Sequence, residues 1–193
     1  MSCPIGRASK NEDVDSLQGQ LLIASPGLRD PNFRRTVVLV TEHSDEGAAG
    51  LVLNRPSPAA VADVVPVLEP LVEVDEQVWL GGPVQQDAVL VLGEFVDPHD
   101  AAVPLFGALG FPSLDEPEEV VTATVRRRVF AGYAGWGAGQ LEGEIDAGAW
   151  YVLNAAPGDV MCADPTGLWR SVLRRQPGLL SAVSSYPADL SEN

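Results

Sequence analysis

Four groups of residues in this sequence have side chains or backbone suited to chemistry on small anions. Arg34-Arg35 and Arg55 carry guanidiniums, which grip a carboxylate or phosphate in a fork. Asn54, beside Arg55 in "NRP", both donates and accepts hydrogen bonds. "LGGPV" (80–84) presents Gly81 and Gly82 in a tight turn with backbone amides to offer. His43, preceded by Glu42 in "TEHSDEG", ends an apolar run and has an imidazole suited to proton transfer near neutral pH. One arrangement makes His43 a general base, Asn54 and Arg55 the groups that orient an anionic substrate, and the Gly81-Gly82 amides an oxyanion site. A second makes the same strand-end cluster a pocket that binds without reacting. A third uses the guanidiniums only in salt bridges to the chain's many acids.

Other chemistries lack their signatures. "GYAGWGAGQ" (132–140) has four glycines in the strand–glycine–helix setting of a phosphate loop. A Walker loop needs a lysine, and the chain's single lysine is Lys10. A dinucleotide loop needs glycine where Gln140 or Glu142 stands, so a structural turn is the expectation. No G-x-S-x-G elbow occurs. His43 and Asp45 share a strand face but lack the third protein ligand that zinc requires. His99, between Asp97 and Asp100, reads as a solvated loop residue. Two cysteines, Cys3 and Cys162, make no disulfide framework. No metal and no cofactor is expected.

The elements that must position these groups fit one domain of 19–193 behind a disordered leader of 1–18. At 193 residues and 46% apolar content the chain can bury a proper core. No apolar run is long enough to span a membrane, and the leader lacks a secretory pattern, so the cytoplasm is the expected location. Net charge is −15, and residues 56–125 hold thirteen acids and no lysine or arginine. That field repels a duplex, so direct nucleic-acid binding is not expected. Arg126-Arg127-Arg128 is the one basic run and reads as a solvated strand edge.

Residues 20–25, 36–43 and 50–54 read as strands, the last two as a hairpin. Residues 57–71 read as a helix divided by Pro66 and Pro70. "QVWLGGPV" and "AVLVLGEF" are further strands, and the proline-rich 97–118 an irregular flap. "VVTATV", "RVFAGYAGW" and "AWYVLNA" continue the strands, with "GQLEGEI" a short helix between the last two. The final helix begins in "DPTGLW" with Asp164 as its cap and stops at Pro177-Gly178. Strands in adjacent hairpins with few helices point to an α+β fold.

"LLIASPGLRDPNFRRTVVLVTEH", "GAAGLVLNRP", "LGGPV", "GYAGWGAGQLEGEI" and "LW", in that order from about residue 20 to 175, closely resemble the AlgH/YqgE family of bacterial proteins. The resemblance implies an α+β fold whose antiparallel, bifurcated sheet curls into a pseudo-barrel flanked by helices. It also implies a cytosolic protein of a family with no established activity, often labelled as transcriptional regulators, and brings no catalytic set. The matching positions able to serve a site are Arg34, Arg35, Glu42, His43, Asn54, Arg55, Gly81, Gly82, Tyr133, Trp136 and Gln140. Residues 97–118 and the tail after Pro177 match poorly. The leading expectation is a non-enzymatic regulatory protein that binds a small polar or anionic ligand or a protein partner. The enzyme above and a DNA-linked regulator are the alternatives.

Overall fold

The computed structural model describes residues 16–187 except 74, 75 and 116. Most of the expected leader, residues 1–15, lies outside the described residues. Ser16–Gln18, the rest of it, are held in place: the Leu17 amide donates to His43, and Leu17 packs on a core cluster.

Among the described residues ten strands form one sheet: β1 (Gln20–Ala24), β2 (Val37–Ser44), β3 (Gly47–Val52), β4 (Pro56–Ala60), β5 (Gln77–Leu80), β6 (Val84–Phe95), β7 (Val103–Phe106), β8 (Leu109–Phe111), β9 (Thr124–Gly137) and β10 (Trp150–Asn154). Their order is β10-β1-β2-β3-β9-β6-β8-β7, with β4 and β5 as a side ribbon. Six short helices among the described residues flank it: α1 (Val61–Val64), α2 (Pro117–Ala123), α3 (Gln140–Asp146), α4 (Pro157–Val160), α5 (Leu168–Arg174) and α6 (Leu179–Val183). This is the expected α+β architecture, a largely antiparallel sheet curled on itself.

The fork in the sheet lies on β9. Along one side β9 pairs with β6; along the other it pairs parallel with β5 at Phe130–Ala131, then antiparallel with β3 from Ala134. Gly132 sits at the branch with φ +68°, a conformation that L side chains rarely adopt. Gly81 is wedged into the same fork. Its amide donates to Ala131 and its carbonyl accepts from Val52. A Cβ added there would lie 2.1 Å from the Gly132 carbonyl oxygen. Gly81 and Gly82 of "LGGP" and Gly132 of "GYAG" are therefore required by one crowded junction.

Both faces of the β1–β2–β3 region are covered, which is why Val37–Val40 is an unbroken apolar run. One face (Leu21, Ile23, Leu39, Leu51, Phe130) meets Val160, Leu168, Trp169, Val172 and Leu173 of α4 and α5. The other (Leu22, Val38, Val40, Val52) meets Leu141, Trp136 and Trp150. A third cluster (Val61, Leu68, Leu71, Val91, Val120, Val129) fills the space under α1 and α2. No helix among the described residues is long and apolar enough to cross a membrane.

Several expectations are corrected. Residues 57–71 are not one divided helix: they begin as β4, pass through α1, and end in a 3-10 turn opened by Pro66. Pro56 and Pro58 are accommodated because β4 pairs on one side only. The flap at 97–118 contains the β7–β8 hairpin, and "VVTATV" is helical to Ala123 before β9 begins. Asp164 does not cap α5 directly; it accepts from the Gly167 amide and the Thr166 hydroxyl in the turn leading into it. The basic run 126–128 is not a solvated edge, because β9 is internal to the sheet. Arg128 is buried, stacked 3.9 Å over Trp79 and bonded to the Val160 and Cys162 carbonyls. Arg127 ties Leu71 and Thr124, and Arg126 pairs with Glu94.

Candidate functional site

The loop between β1 and β2 carries "RDPNFRR" and folds around Asp30. The Asp30 side chain accepts from the Asn32 amide at 2.8 Å, and its carbonyl accepts from Phe33 and Arg34. Arg35 then takes φ +56°, an uncommon conformation for a residue with a side chain. Asn54 and Arg55 hold that geometry. Asn54 Oδ1 accepts from the Val37 amide at 3.0 Å, and its Nδ2 donates to the Arg35 carbonyl at 2.9 Å. Arg55 Nη2 donates to the Arg34 carbonyl at 2.7 Å. The two sequence motifs are thus one clamp, and both polar ends of Asn54 are engaged by backbone.

Arg55 also lines a cleft of about 440 Å³ with Pro31, Asn32, Leu80, Gly82, Pro83 and Gln86 over a floor of Val52 and Ala131. The side chains of Asn32 and Gln86 are exposed at its rim. Gln85, next to Gln86, has φ +45°. Arg35 and Gln85 are the non-glycine residues of positive φ among the described residues, and each adjoins a loop that walls this cleft. Backbone strain of this kind collects at binding and switch regions. Asn32 and Gln86 escape sequence reasoning because neither stands in a recognisable chemical motif. Their proximity to "RR" and "GGP" was the available signal.

Arg35 turns to the opposite side. Its guanidinium lies 4.5 Å from the Trp169 ring centroid and donates to the Tyr186 carbonyl. Partial burial, followed by the charges of Arg170 and Arg34, lowers its pKa from the ordinary value.

His43 stands at the far end of β2, paired with Ala48. Six residues of strand separate it from Val37 and hence from Asn54, a distance of about 20 Å at the usual rise. Its Nδ1 accepts from the Leu17 amide at 3.2 Å, so the ring proton resides on Nε2 and is donated to Glu142 Oε1 at 2.7 Å. The imidazole is 2% exposed. Both nitrogens are occupied, and the Gly81 amide is used in the sheet fork. The arrangement with His43 as base, Asn54 and Arg55 as orienting groups and Gly81-Gly82 as oxyanion site is therefore not assembled.

The glycine-rich stretch delivers Trp136 and Gln140 to a third network. Glu144 Oε2 accepts from the indole nitrogens of Trp136 at 3.0 Å and Trp150 at 2.8 Å, while Oε1 accepts from Gln140 at 2.9 Å. Gln140 in turn accepts from the Gly137 amide. Phe33 completes an aromatic triangle with both indoles, at centroid distances of 6.0 and 5.6 Å. Glu144 is the organising group here and was not singled out in the sequence. Its i, i+4 spacing from Gln140 was the signal. Glu42, Tyr133 and Trp136 border a second, acidic cleft of about 390 Å³ with Ser44, Glu46 and Val84. The eleven motif positions therefore divide among the two ends of β2 and the sheet fork between them and do not converge on one site.

A family model described as AlgH-like matches residues 21–181. A UPF0301 protein of Streptomyces coelicolor is 47% identical over 190 residues, covering 94% of this chain and 97% of the relative. The UPF0301 protein of Mycobacterium tuberculosis is 44% identical over 181 residues, covering 91% and 90%. Among solved structures, a Corynebacterium diphtheriae protein superposes with a TM-score of 0.80 at 34% identity, covering 88% of this chain and 92% of that one. The solution structure of AlgH from Pseudomonas aeruginosa gives a TM-score of 0.70 at 31% identity, covering 95% and 98%.

Proposed function

Because the chain belongs to the AlgH-like family, we propose that it is a non-enzymatic binding protein with a regulatory role, whose small polar or anionic ligand sits in the cleft beside Arg55. One observation carries the reading. The His43 imidazole is engaged at both nitrogens in holding the fold, whereas the Arg55 cleft keeps a guanidinium and two amide side chains around an opening. The volume of about 440 Å³ is in the range of small-molecule sites. Arg55 is held by one nitrogen on the Arg34 carbonyl, so its guanidinium is fixed in place before a ligand arrives. That lowers the ordering cost of binding. Asn32 and Gln86 add donors and acceptors suited to a carboxylate or phosphate ester. We take the protein to act in the cytoplasm, and its acidic surface argues against nucleic acid as the direct target.

A thermal-shift screen against carboxylates and phosphate esters tests this. A ligand at about 100 times its dissociation constant stabilises the folded state by about 2.7 kcal/mol. At this chain length that is a rise of several degrees in Tm. The shift is expected to vanish in Arg55→Ala. A panel without a hit, or a hit that survives Arg55→Ala unchanged, overturns the assignment of this cleft.

A further inference from the structure

Two groups of arginines contrast in this chain. Arg126, Arg127, Arg128 and Arg175 are committed to the fold, through Glu94, Asp159 or main-chain carbonyls. Arg35, Arg170 and Arg174 have no carboxylate partner among the described residues. They come together from two elements. Arg35 reaches from the β1–β2 loop to stack on Trp169, and Arg170 is the next residue along α5. Arg174 follows one turn later on the same exposed stripe, a like-charge spacing that works against the helix. The charges of Arg170 and Arg34 both depress the Arg35 pKa, as expected of guanidiniums near enough to repel.

Apolar surface adjoins them. Leu179, which opens α6, is 87% exposed, and Tyr186 is 42% exposed. Hydrogen bonds tie their segments to those of the arginines: Ser181, in the same short helix as Leu179, donates to the Arg174 carbonyl, and Arg35 donates to the Tyr186 carbonyl. Arginine and tyrosine around exposed apolar side chains are the composition of a protein interface. The setting sharpens the point. In a chain of net charge −15, a cationic face without partners among the chain's described carboxylates complements an acidic surface.

We propose that Arg35, Arg170, Arg174, Leu179 and Tyr186 form a docking surface for an acidic protein segment that carries an apolar anchor. A short peptide suits this face better than a duplex, which the thirteen acids of 56–125 repel and which has no use for Leu179. The surface lies apart from the Arg55 cleft and does not depend on that site being occupied.

The test is fluorescence anisotropy with the full chain and a fluorescein-labelled twelve-residue glutamate peptide bearing a central Leu-Leu pair. Binding is expected at about 50 mM salt and should weaken about five-fold or more by about 200 mM. The double variant Arg170→Ala/Arg174→Ala, both exposed positions, should lose about ten-fold and flatten the salt dependence, with the circular dichroism spectrum unchanged. Leu179→Ser should lose several-fold with the salt dependence intact, a readout that charge alone does not move. Absence of binding, parental affinity in the double variant, or no effect of Leu179→Ser overturns the proposal. So does equal affinity for an all-glutamate peptide or for a short DNA duplex.

Discussion

The two ends of β2 treat polar residues differently. At the His43 end, α3 closes over the sheet and the chief motif side chains bond inside the protein, His43 to Glu142 and Leu17, both indoles to Glu144, Gln140 to Gly137, while Glu42, Ser44 and Glu46 border the acidic cleft. At the Asn54 end the backbone is clamped as thoroughly, yet Arg55, Asn32 and Gln86 border an open cleft. Motif residues at the first end bond largely within the fold, and at the second they border the cleft proposed above to hold a ligand. Substitutions that lower stability and substitutions that abolish binding should therefore map to different places.

The largest expected effect lies at neither end but at the fork that holds them apart. Gly81→Ala puts a methyl 2.1 Å from the Gly132 carbonyl oxygen, a backbone atom that cannot swing aside. The expected cost is about 3 kcal/mol or more, measured by urea unfolding, with poor recovery of folded protein as its extreme form. Glu144→Ala follows, at about 2–4 kcal/mol, because two indole N–H groups of largely buried tryptophans lose their acceptor together. A red shift and quenching of tryptophan fluorescence in the variant would report the same loss locally. Asn54→Ala removes the partners of the Val37 amide and the Arg35 carbonyl and should cost about 2 kcal/mol. Arg55→Ala breaks the comparison if it behaves like these. It gives up one exposed bond to a carbonyl and should cost no more than about 1 kcal/mol while abolishing ligand-induced stabilisation.

What the sequence disclosed follows from how local each cause is. The β2–β3 hairpin was readable because both faces of β2 are covered, leaving a continuous apolar run over Val37–Val40. α3 was readable from the spacing of Leu141 and Ile145. The Asn54–Arg55 pairing with the Arg34–Arg35 loop was legible only as two motifs at neighbouring strand ends. Its substance is hydrogen bonds spanning 17 to 21 residues. Arg128 was misread because a triple-arginine run looks solvated until Trp79, Val160 and Cys162, each more than thirty residues away, are brought to it. The β4 error has the same origin: Ala60, Val64 and Val67 stand near helical spacing, and it takes the pairing with β5 to make Pro56–Ala60 extended.

The smallest predicted effect separates the two ends by pH. Glu142 has its pKa lowered from the ordinary 4.5, chiefly by its own amide and then, against a smaller desolvation penalty, by His43. A carboxylate with a depressed folded-state pKa contributes stability that is present above its unfolded value and lost as pH falls through the folded one. The contribution is therefore full above about pH 5 and fades below 4.5. Since the side chain is 42% exposed, solvent keeps the effect modest. Glu142→Gln keeps an acceptor for His43 Nε2 but removes the titration. Urea midpoints taken from pH 6 down to pH 3 should converge for parent and variant at the acid end and diverge above it, the parent being the more stable. The Arg55 cleft contains no carboxylate among its lining residues, so Arg55→Ala should run parallel to the parent across the same range. A difference that instead grows toward low pH in Glu142→Gln would mean that the His43–Glu142 contact does not favour the charged carboxylate, and the saturated end of β2 would lose its electrostatic component.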